Sequence, residues 1–333
     1  MSVFSRRLTD SRKVWDDNSS QSDEDLNIPP FEALDDIEKA KFENIEDKLS
    51  KEIDKNFQKN ATPQCWAFMG TVGGVGTTSL AVQIAYELTK LQNNSSRASR
   101  AISESQVCLI DLDYETGRTT HQLDIKPNLS IEGLTNEELN IDADYTKSSL
   151  SQHKSGISVL AAPNLIGGNR KVKTQSVLSL LNAACDLFPY VILDLPSHWQ
   201  EWSMAAIGGS DFTGLVTDMT IPSLHVTQSK YMQLNEMFSG EKSFEIILNK
   251  YERRSFKKTL TLSDVQIALR QNVFGTLCNE SDITREALNC GEPIGAIKAH
   301  SRYAKDSRKL LNQILMTKQM TVPKSTSANK TAT

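Results

Sequence analysis

Two sets of residues in this chain have the types and spacing to do chemistry. The first is Gly70-Thr71-Val72-Gly73-Gly74-Val75-Gly76-Thr77-Thr78-Ser79, a glycine-rich run between a short apolar segment and a helical pattern. Glycines let a backbone approach a phosphate closely and turn successive N–H groups inward, and the helix that follows adds its positive N-terminal end. Gly73, Gly74, Val75, Gly76, Thr77, Thr78 and Ser79 are the candidate phosphate cradle, and the Thr78 hydroxyl stands where it could ligate Mg²⁺ held against a phosphate. The second set is carboxylate. Asp111 and Asp113 close one apolar run and Asp194 closes another. Acidic groups at strand ends beside a phosphate loop suit a bound Mg²⁺ and a positioned water. A single such aspartate would more simply cap the next turn or helix; three of them after a glycine loop favour a site. Asn249 ends a further apolar run, where its amide could read an adenine edge through donor and acceptor together or could simply form a turn.

The elements that must position these residues can be read from the apolar pattern. Strands are expected at Cys65–Met69, Val107–Ile110, Ile157–Ala161, Tyr190–Leu193, Thr213–Val216 and Phe244–Leu248, with helical stretches between most of them. One helix follows the glycine loop with Leu80, Ile84 and Leu88 on one face, and a last helix covers 302–316. Alternating strands and helices imply an α/β fold with a mostly parallel sheet flanked by helices on both faces, whose ligands lie beyond the carboxyl ends of the strands. A dinucleotide fold of the GxGxxG type fits poorly. Gly74 and Gly76 match, but Ser79 stands at the third position and no acidic residue follows a second strand at the usual spacing.

Composition divides the 333 residues into three parts. Residues 1–60 carry 15 acidic and 10 basic side chains, net −5, and the remainder 26 acidic and 27 basic, net +1. The stretch up to residue 34 reads as a solvated arm. Phe42, Ile45, Leu49, Ile53 and Phe57 then recur at helical spacing, a stripe that could pack on its own domain, bind a partner or lie on a membrane surface. A nucleotide-binding domain is expected over 61–320 and a polar tail over 321–333. An acidic front and a neutral body argue against strong non-specific nucleic-acid binding. No run approaches the length of a membrane span and the N-terminus has no signal-like apolar stretch, so a cytoplasmic location is expected. The five cysteines form no CxxC pair and no zinc-like spacing, and are expected to be reduced thiols in or near the core.

In order along the chain, GTVGGVGTTSLA, VCLIDLDYETG, LDIKPNLSI, GISVLAAP, YVILDLPSHWQEW, EIILNKYERR and GEPI resemble the MinD/ParA superfamily of deviant-Walker P-loop ATPases. Within it, LDIKP together with LDLP…EW is similar to the CpaE/TadZ family of Flp (Tad, type IVb) pilus assembly proteins. The resemblance spans about Ala61 to Leu315 and implies a P-loop NTPase architecture. It implies ATP or ADP with Mg²⁺ as cofactors, residues 73–79 as the Walker A loop, Thr78, Asp111 and Asp194 at the metal, Asp111 and Asp113 as the catalytic pair if hydrolysis occurs, and Asn249 as the adenine contact. It also implies a homodimer that marks a cell pole or the inner face of a membrane, with pilus and secretion components, a secretion ATPase among them, as partners. His198, Trp199 and Trp202 could line a switch loop or a subunit interface, though for His198 a surface position is simpler. Two positions depart from the superfamily pattern: Val72 stands for the lysine that reaches across the dimer, and Thr77 for the Walker lysine.

The expected function is therefore a nucleotide-binding localisation scaffold with weak or no hydrolysis. An active ATPase switch would need Arg118 or the basic stretch 169–173 to supply the missing charge. A DNA partition factor would need a basic surface, for which Arg253, Arg254, Lys257 and Lys258 are the dense candidate.

Overall fold

The computed structural model describes residues 63–96, 105–115, 117–135, 140–162, 172–252 and 260–320. The acidic arm, the stripe from Phe42 to Phe57, the basic residues 169–171 and 253–258, and the tail from 321 lie outside the described residues.

Eight strands form one sheet: β1 (Gln64–Gly70), β2 (Val107–Asp111), β3 (Ser151–Gln152), β4 (Ser158–Leu160), β5 (Tyr190–Leu195), β6 (Phe212–Thr217), β7 (Glu245–Tyr251) and β8 (Val273–Cys278). Their order is β3-β4-β2-β5-β1-β6-β7-β8, parallel throughout except for the β3–β4 hairpin. The mostly parallel α/β sheet expected from the alternation is present. Two strands were not foreseen, the two-residue β3 and the edge strand β8.

The central strands β1, β2 and β5 are mostly apolar because both faces are covered, as a parallel sheet requires, with Asp111 and Asp194 at or next to the carboxyl ends of β2 and β5. Side chains alternate by two. Cys65, Ala67 and Met69 of β1 join Cys108, Ile110, Val191 and Leu193 in one core layer, while Trp66 and Phe68 join Leu109 and Ile192 in the other. The first layer is closed by α5 (Thr174–Leu187) and α6 (Glu201–Gly209), the second by α1 (Thr77–Ser96) and α11 (Arg302–Met320). Leu80, Ile84 and Leu88 of α1 are fully buried, as their spacing indicated. The remaining helices are α2 (Thr119–Gln122), α3 (Ile131–Thr135), α4 (Ala143–Ser148), α7 (Ile221–Met237), α8 (Leu262–Leu269), α9 (Ser281–Cys290) and α10 (Ile294–Ile297).

This topology puts β1 at the switch point, with β5 on one side and β6 on the other. The loop leaving β1 therefore opens above the ends of both neighbours, where ligands bind in such sheets. The cysteines are all free. Cys65, Cys108 and Cys185 are buried and Cys278 is half-buried, whereas Cys290 is exposed, unlike the placement in or near the core expected of the five together. Among the described residues no helix is long and apolar enough to cross a membrane.

Candidate functional site

The β1–α1 loop makes one rim of a cleft of about 870 Å³. Gly70, Val72, Gly73, Gly74, Gly76, Thr77, Thr78 and Ser79 line it, so the predicted cradle is assembled as one surface. Val75 turns away and is fully buried in the core. Gly76 takes a positive φ of 89°, and a Cβ there would stand 2.5 Å from Asn249 Nδ2. Only glycine tolerates both the backbone and the contact. The α1 helix starts at the next residue, so its first free N–H groups face the cleft.

The loop is tied down from two directions. Thr71 Oγ1 donates to the Val216 carbonyl at 3.2 Å, and the Thr227 hydroxyl of α7 lies 2.8 Å from both Thr71 Oγ1 and Thr217 Oγ1. From the far side, Asn249 Nδ2 donates to the Val75 carbonyl at 2.8 Å and Lys250 Nζ donates to the Gly74 carbonyl at 2.7 Å. The Asn249 side-chain oxygen accepts from the Lys250 N–H at 2.9 Å. Asn249 thus acts here as a clamp on the loop, and these two bonds leave over the second N–H and second lone pair of its amide, beside the cleft that it lines. The sequence signalled neither the threonine network nor Lys250. Each joins the loop to residues about 150 positions or more away in the chain.

The carboxylates divide into two roles. Asp111 and Asp194 sit side by side, in register on β2 and β5. Asp113 and Asp194 line the cleft, but Asp111 is fully buried beneath it. Its two oxygens accept from the backbone N–H groups of Asp113 at 3.0 Å and Thr119 at 3.2 Å. Asp113 and Thr119 thus hold it through their backbone. A Cβ on Gly117 would lie 2.6 Å from the Asp113 carbonyl and 2.9 Å from Asp111 Oδ2, which explains the glycine. Burial pushes the Asp111 carboxyl up to about 6, partly offset by the two N–H bonds. Asp194 is also raised well above the ordinary carboxylate range. Burial is the main cause and the Asp111 charge adds to it, while the Thr78 hydroxyl and the Arg118 charge pull it partly back. Two buried carboxylates that resist ionisation side by side invite a cation.

Among the described residues no cluster of three or more His, Cys, Asp or Glu is arranged to hold a metal alone. The oxygen donors that line the cleft, the Thr78 hydroxyl and the Asp194 and Asp113 carboxylates, are of the kind that would suit Mg²⁺. Asp111, predicted as a metal ligand, is fully buried and does not line the cleft.

After Asp194 the chain runs through Ser197, which lines the cleft and whose carbonyl accepts from the ammonium of Lys230 on α7. His198 Nε2 stands 3.6 Å from Glu115 Oε2, linking the two loops that follow Asp113 and Asp194. Beneath them the Tyr114 and Trp202 rings pack with centroids 5.2 Å apart. The far wall, unforeseen in the sequence, comes from the end of β8 and from α9, with Cys278, Asn279, Ser281 and Leu288. Arg118 is exposed on the cleft wall, while Lys173 is not among the lining residues.

The fold is similar to that of solved MinD and ParA proteins, whose architecture is that of the P-loop NTPases. The ParA family ATPase from Chlorobium tepidum TLS superposes with a TM-score of 0.61 at 17% identity, covering 75% of this chain and 98% of that one. The septum site-determining protein MinD of Pyrococcus horikoshii OT3, complexed with Mg-ADP, gives 0.62 at 16% identity, over 78% and 98%. A putative plasmid partition protein from Borrelia burgdorferi B31 bound to AMPPNP gives 0.58 at 15%, over 77% and 99%. No family model matches the chain, and no curated protein does.

Proposed function

We propose that this protein is an adenine-nucleotide-binding scaffold that localises Flp (Tad, type IVb) pilus assembly and secretion machinery, binding Mg²⁺-ATP or Mg²⁺-ADP with weak or absent hydrolysis. One observation carries the nucleotide part. A glycine loop at the head of α1 faces Asp113 and Asp194 across one cleft, and neither Val72 nor Thr77 brings a charge to it. The volume is right for a nucleotide. Gly73 to Ser79 would hold phosphate oxygens through backbone N–H groups, Thr78 and Asp194 would hold a Mg²⁺, Asp113 would orient a water, and Asp111 fixes the segment that carries Asp113. Bound Mg²⁺ supplies charge neutralisation between phosphate oxygens. A single placed cationic finger contributes about 10³–10⁵ in rate in phosphoryl transfer. A loop without either lysine therefore favours binding over turnover. The pilus role rests on the ordered motifs, LDIKP and LDLP…EW above all.

Calorimetry with Mg²⁺-ATP and Mg²⁺-ADP, paired with phosphate release, tests the nucleotide reading. Binding is expected at millimolar or better, with release near background. Robust release that vanishes in Asp113→Ala would make the protein an ATPase switch instead, with Arg118 as the first cation to remove. Static light scattering with and without nucleotide tests a homodimer through the cleft face, which Val72 should make less nucleotide-dependent than in lysine-bearing relatives. A polar focus of a fluorescent fusion, and loss of pili on deletion, test the scaffold role. Salt-sensitive retention on DNA would favour the partition reading.

A further inference from the structure

The two positions that normally carry lysine in such a loop are apolar or neutral here, yet a cation reaches the loop by another route. Lys250 sits near the end of β7, lines the cleft, and places its ammonium 2.7 Å from the Gly74 carbonyl. A regular strand could not do this. Successive side chains point to opposite faces of a sheet, so Asn249 and Lys250 should not reach the same loop. They do, donating to the adjacent carbonyls of Val75 and Gly74.

A local break in the strand explains it. Between Leu248 and Tyr251 the β7–β8 register slips, three steps on β7 matching two on β8, from Thr276 to Cys278. Lys250 within this bulge has a φ of 54°, in the left-handed region. Four described residues other than glycine share that trait. Asp124, Ser239 and Arg270 lie just past helix ends, and Lys250 alone lies inside a strand. Such a backbone costs on the order of 1–2 kcal/mol for a residue with a Cβ, and bulges of this kind re-aim side chains beside functional sites. The Asn249 side chain holds the conformation by accepting the Lys250 N–H. Lys250 is exposed and its hydrogen bond goes to a neutral carbonyl. Asp218, at the end of β6, feels its charge. A polyphosphate chain on the loop would meet a cation that no buried carboxylate has claimed.

We propose that Lys250 is a phosphate-binding residue of this cleft, contributing from the bulge in β7 the positive charge that Val72 and Thr77 do not. The ligand class is the di- or triphosphate of a nucleoside, so the inference rests on the nucleotide reading above. The full chain is titrated by calorimetry with Mg²⁺-ATP, Mg²⁺-ADP, adenosine and pyrophosphate, in the parent, Lys250→Met, Lys250→Gly and Lys250→Arg. Loss of one charge-assisted contact should weaken ATP and ADP about ten- to a hundredfold in Lys250→Met and Lys250→Gly. Adenosine affinity should hold and Lys250→Arg should recover most of the loss. Lys250→Gly relieves the backbone and should melt no lower than the parent, which separates charge from folding. Pyrophosphate losing affinity in step with ADP supports a phosphate contact. Equal ATP affinity in parent and Lys250→Met, full affinity in Lys250→Gly, or parallel loss of adenosine would each overturn the assignment. A parent that binds neither nucleotide nor pyrophosphate would instead overturn the nucleotide reading and this inference with it.

Discussion

The two walls of the cleft are built by opposite means. On the β2–β5 side, acidic residues stand at the ends of fully buried strands, with Asp111 and Asp194 paired in register and held at raised pKa by burial. On the β6–β7 side, one positive group, Lys250, and the neutral Asn249 amide arrive through contacts between distant segments, both bent onto loop carbonyls. The anionic wall is set by strand order. The cationic wall depends on a bulge and on how closely the glycine loop can be approached. A substitution on the first wall should therefore change what binds and how stable the empty protein is, while one on the second should change whether the loop is held at all.

The sharpest test of that difference is Gly76→Ala. Its backbone is left-handed and the new Cβ would meet Asn249 Nδ2 at 2.5 Å, so loop and clamp cannot both keep their places. Nucleotide affinity should fall more than a hundredfold, with stability lower by about 1–3 kcal/mol. Calorimetry and thermal melting read the two effects. Unchanged affinity would mean that the clamp does not shape the phosphate site.

On the anionic wall the expected sign is reversed. Asp194→Asn removes a charge that burial disfavours and keeps an oxygen facing Thr78. The empty protein should melt about 2–5 °C higher at pH 7, while Mg²⁺-dependent binding is lost. The pH dependence follows the same logic. Asp111, raised to about 6, and Asp194, also raised, bind protons more tightly folded than unfolded. The Asp111 contribution to stability is complete below the ordinary carboxylate range and is lost as pH rises through about 6, and the Asp194 contribution is lost in the same direction. A fall in melting temperature between pH 4 and 7 should be shallower in Asp194→Asn and with saturating Mg²⁺-nucleotide. Identical slopes in parent and variant would show that the pair does not set this dependence.

The contrast between the walls also accounts for what could be read from the chain. Asp111, Asp113 and Asp194 are visible because an apolar run ending in an acidic residue is a local pattern that a parallel sheet turns into a site. The glycine loop is visible for the same reason. β8 is not, because its VFGTLC is interrupted by Gly275, where a Cβ would come within 2.7 Å of Leu310 Cδ1. That glycine reflects the close packing of α11, which no local window contains. Lys250 lies inside a motif that is easily recognised, but its direction is reversed by a bulge that strand periodicity cannot anticipate. The far wall, formed by the end of β8 and α9, was missed along with β8.

A smaller effect is expected where the loop is held from α7. Thr227→Val keeps the shape and removes the hydroxyl that joins Thr71 and Thr217 inside the protein. The two remaining hydroxyls lose a buried partner, at a cost of about 1–2 kcal/mol. Because Thr71 precedes the cradle, affinity should fall only a few-fold. Urea melts with and without nucleotide separate the two terms, and a loss of affinity as large as that of Gly76→Ala would place this network on a par with the clamp.

The smallest effect belongs to the bridge between the anionic loops. His198 and Glu115 approach to 3.6 Å, but their side chains are 42% and 66% exposed. Water screens such a pair, and exposed ion pairs contribute about 0–1 kcal/mol. The buried Tyr114–Trp202 contact below them already joins the same segments, so the loops do not depend on the ion pair to stay together. Removing the imidazole, as His198→Ala, or the carboxylate charge, as Glu115→Gln, should shift stability by less than about 0.5 kcal/mol and nucleotide affinity by less than about twofold. A double-mutant cycle isolates the pair from the separate loss of each side chain. A coupling above about 1 kcal/mol in the nucleotide-bound protein, absent without nucleotide, would show that the bridge tightens when both loops close on the ligand. The anionic wall would then also owe part of its geometry to contacts between distant segments, and the division drawn between the two walls would not hold.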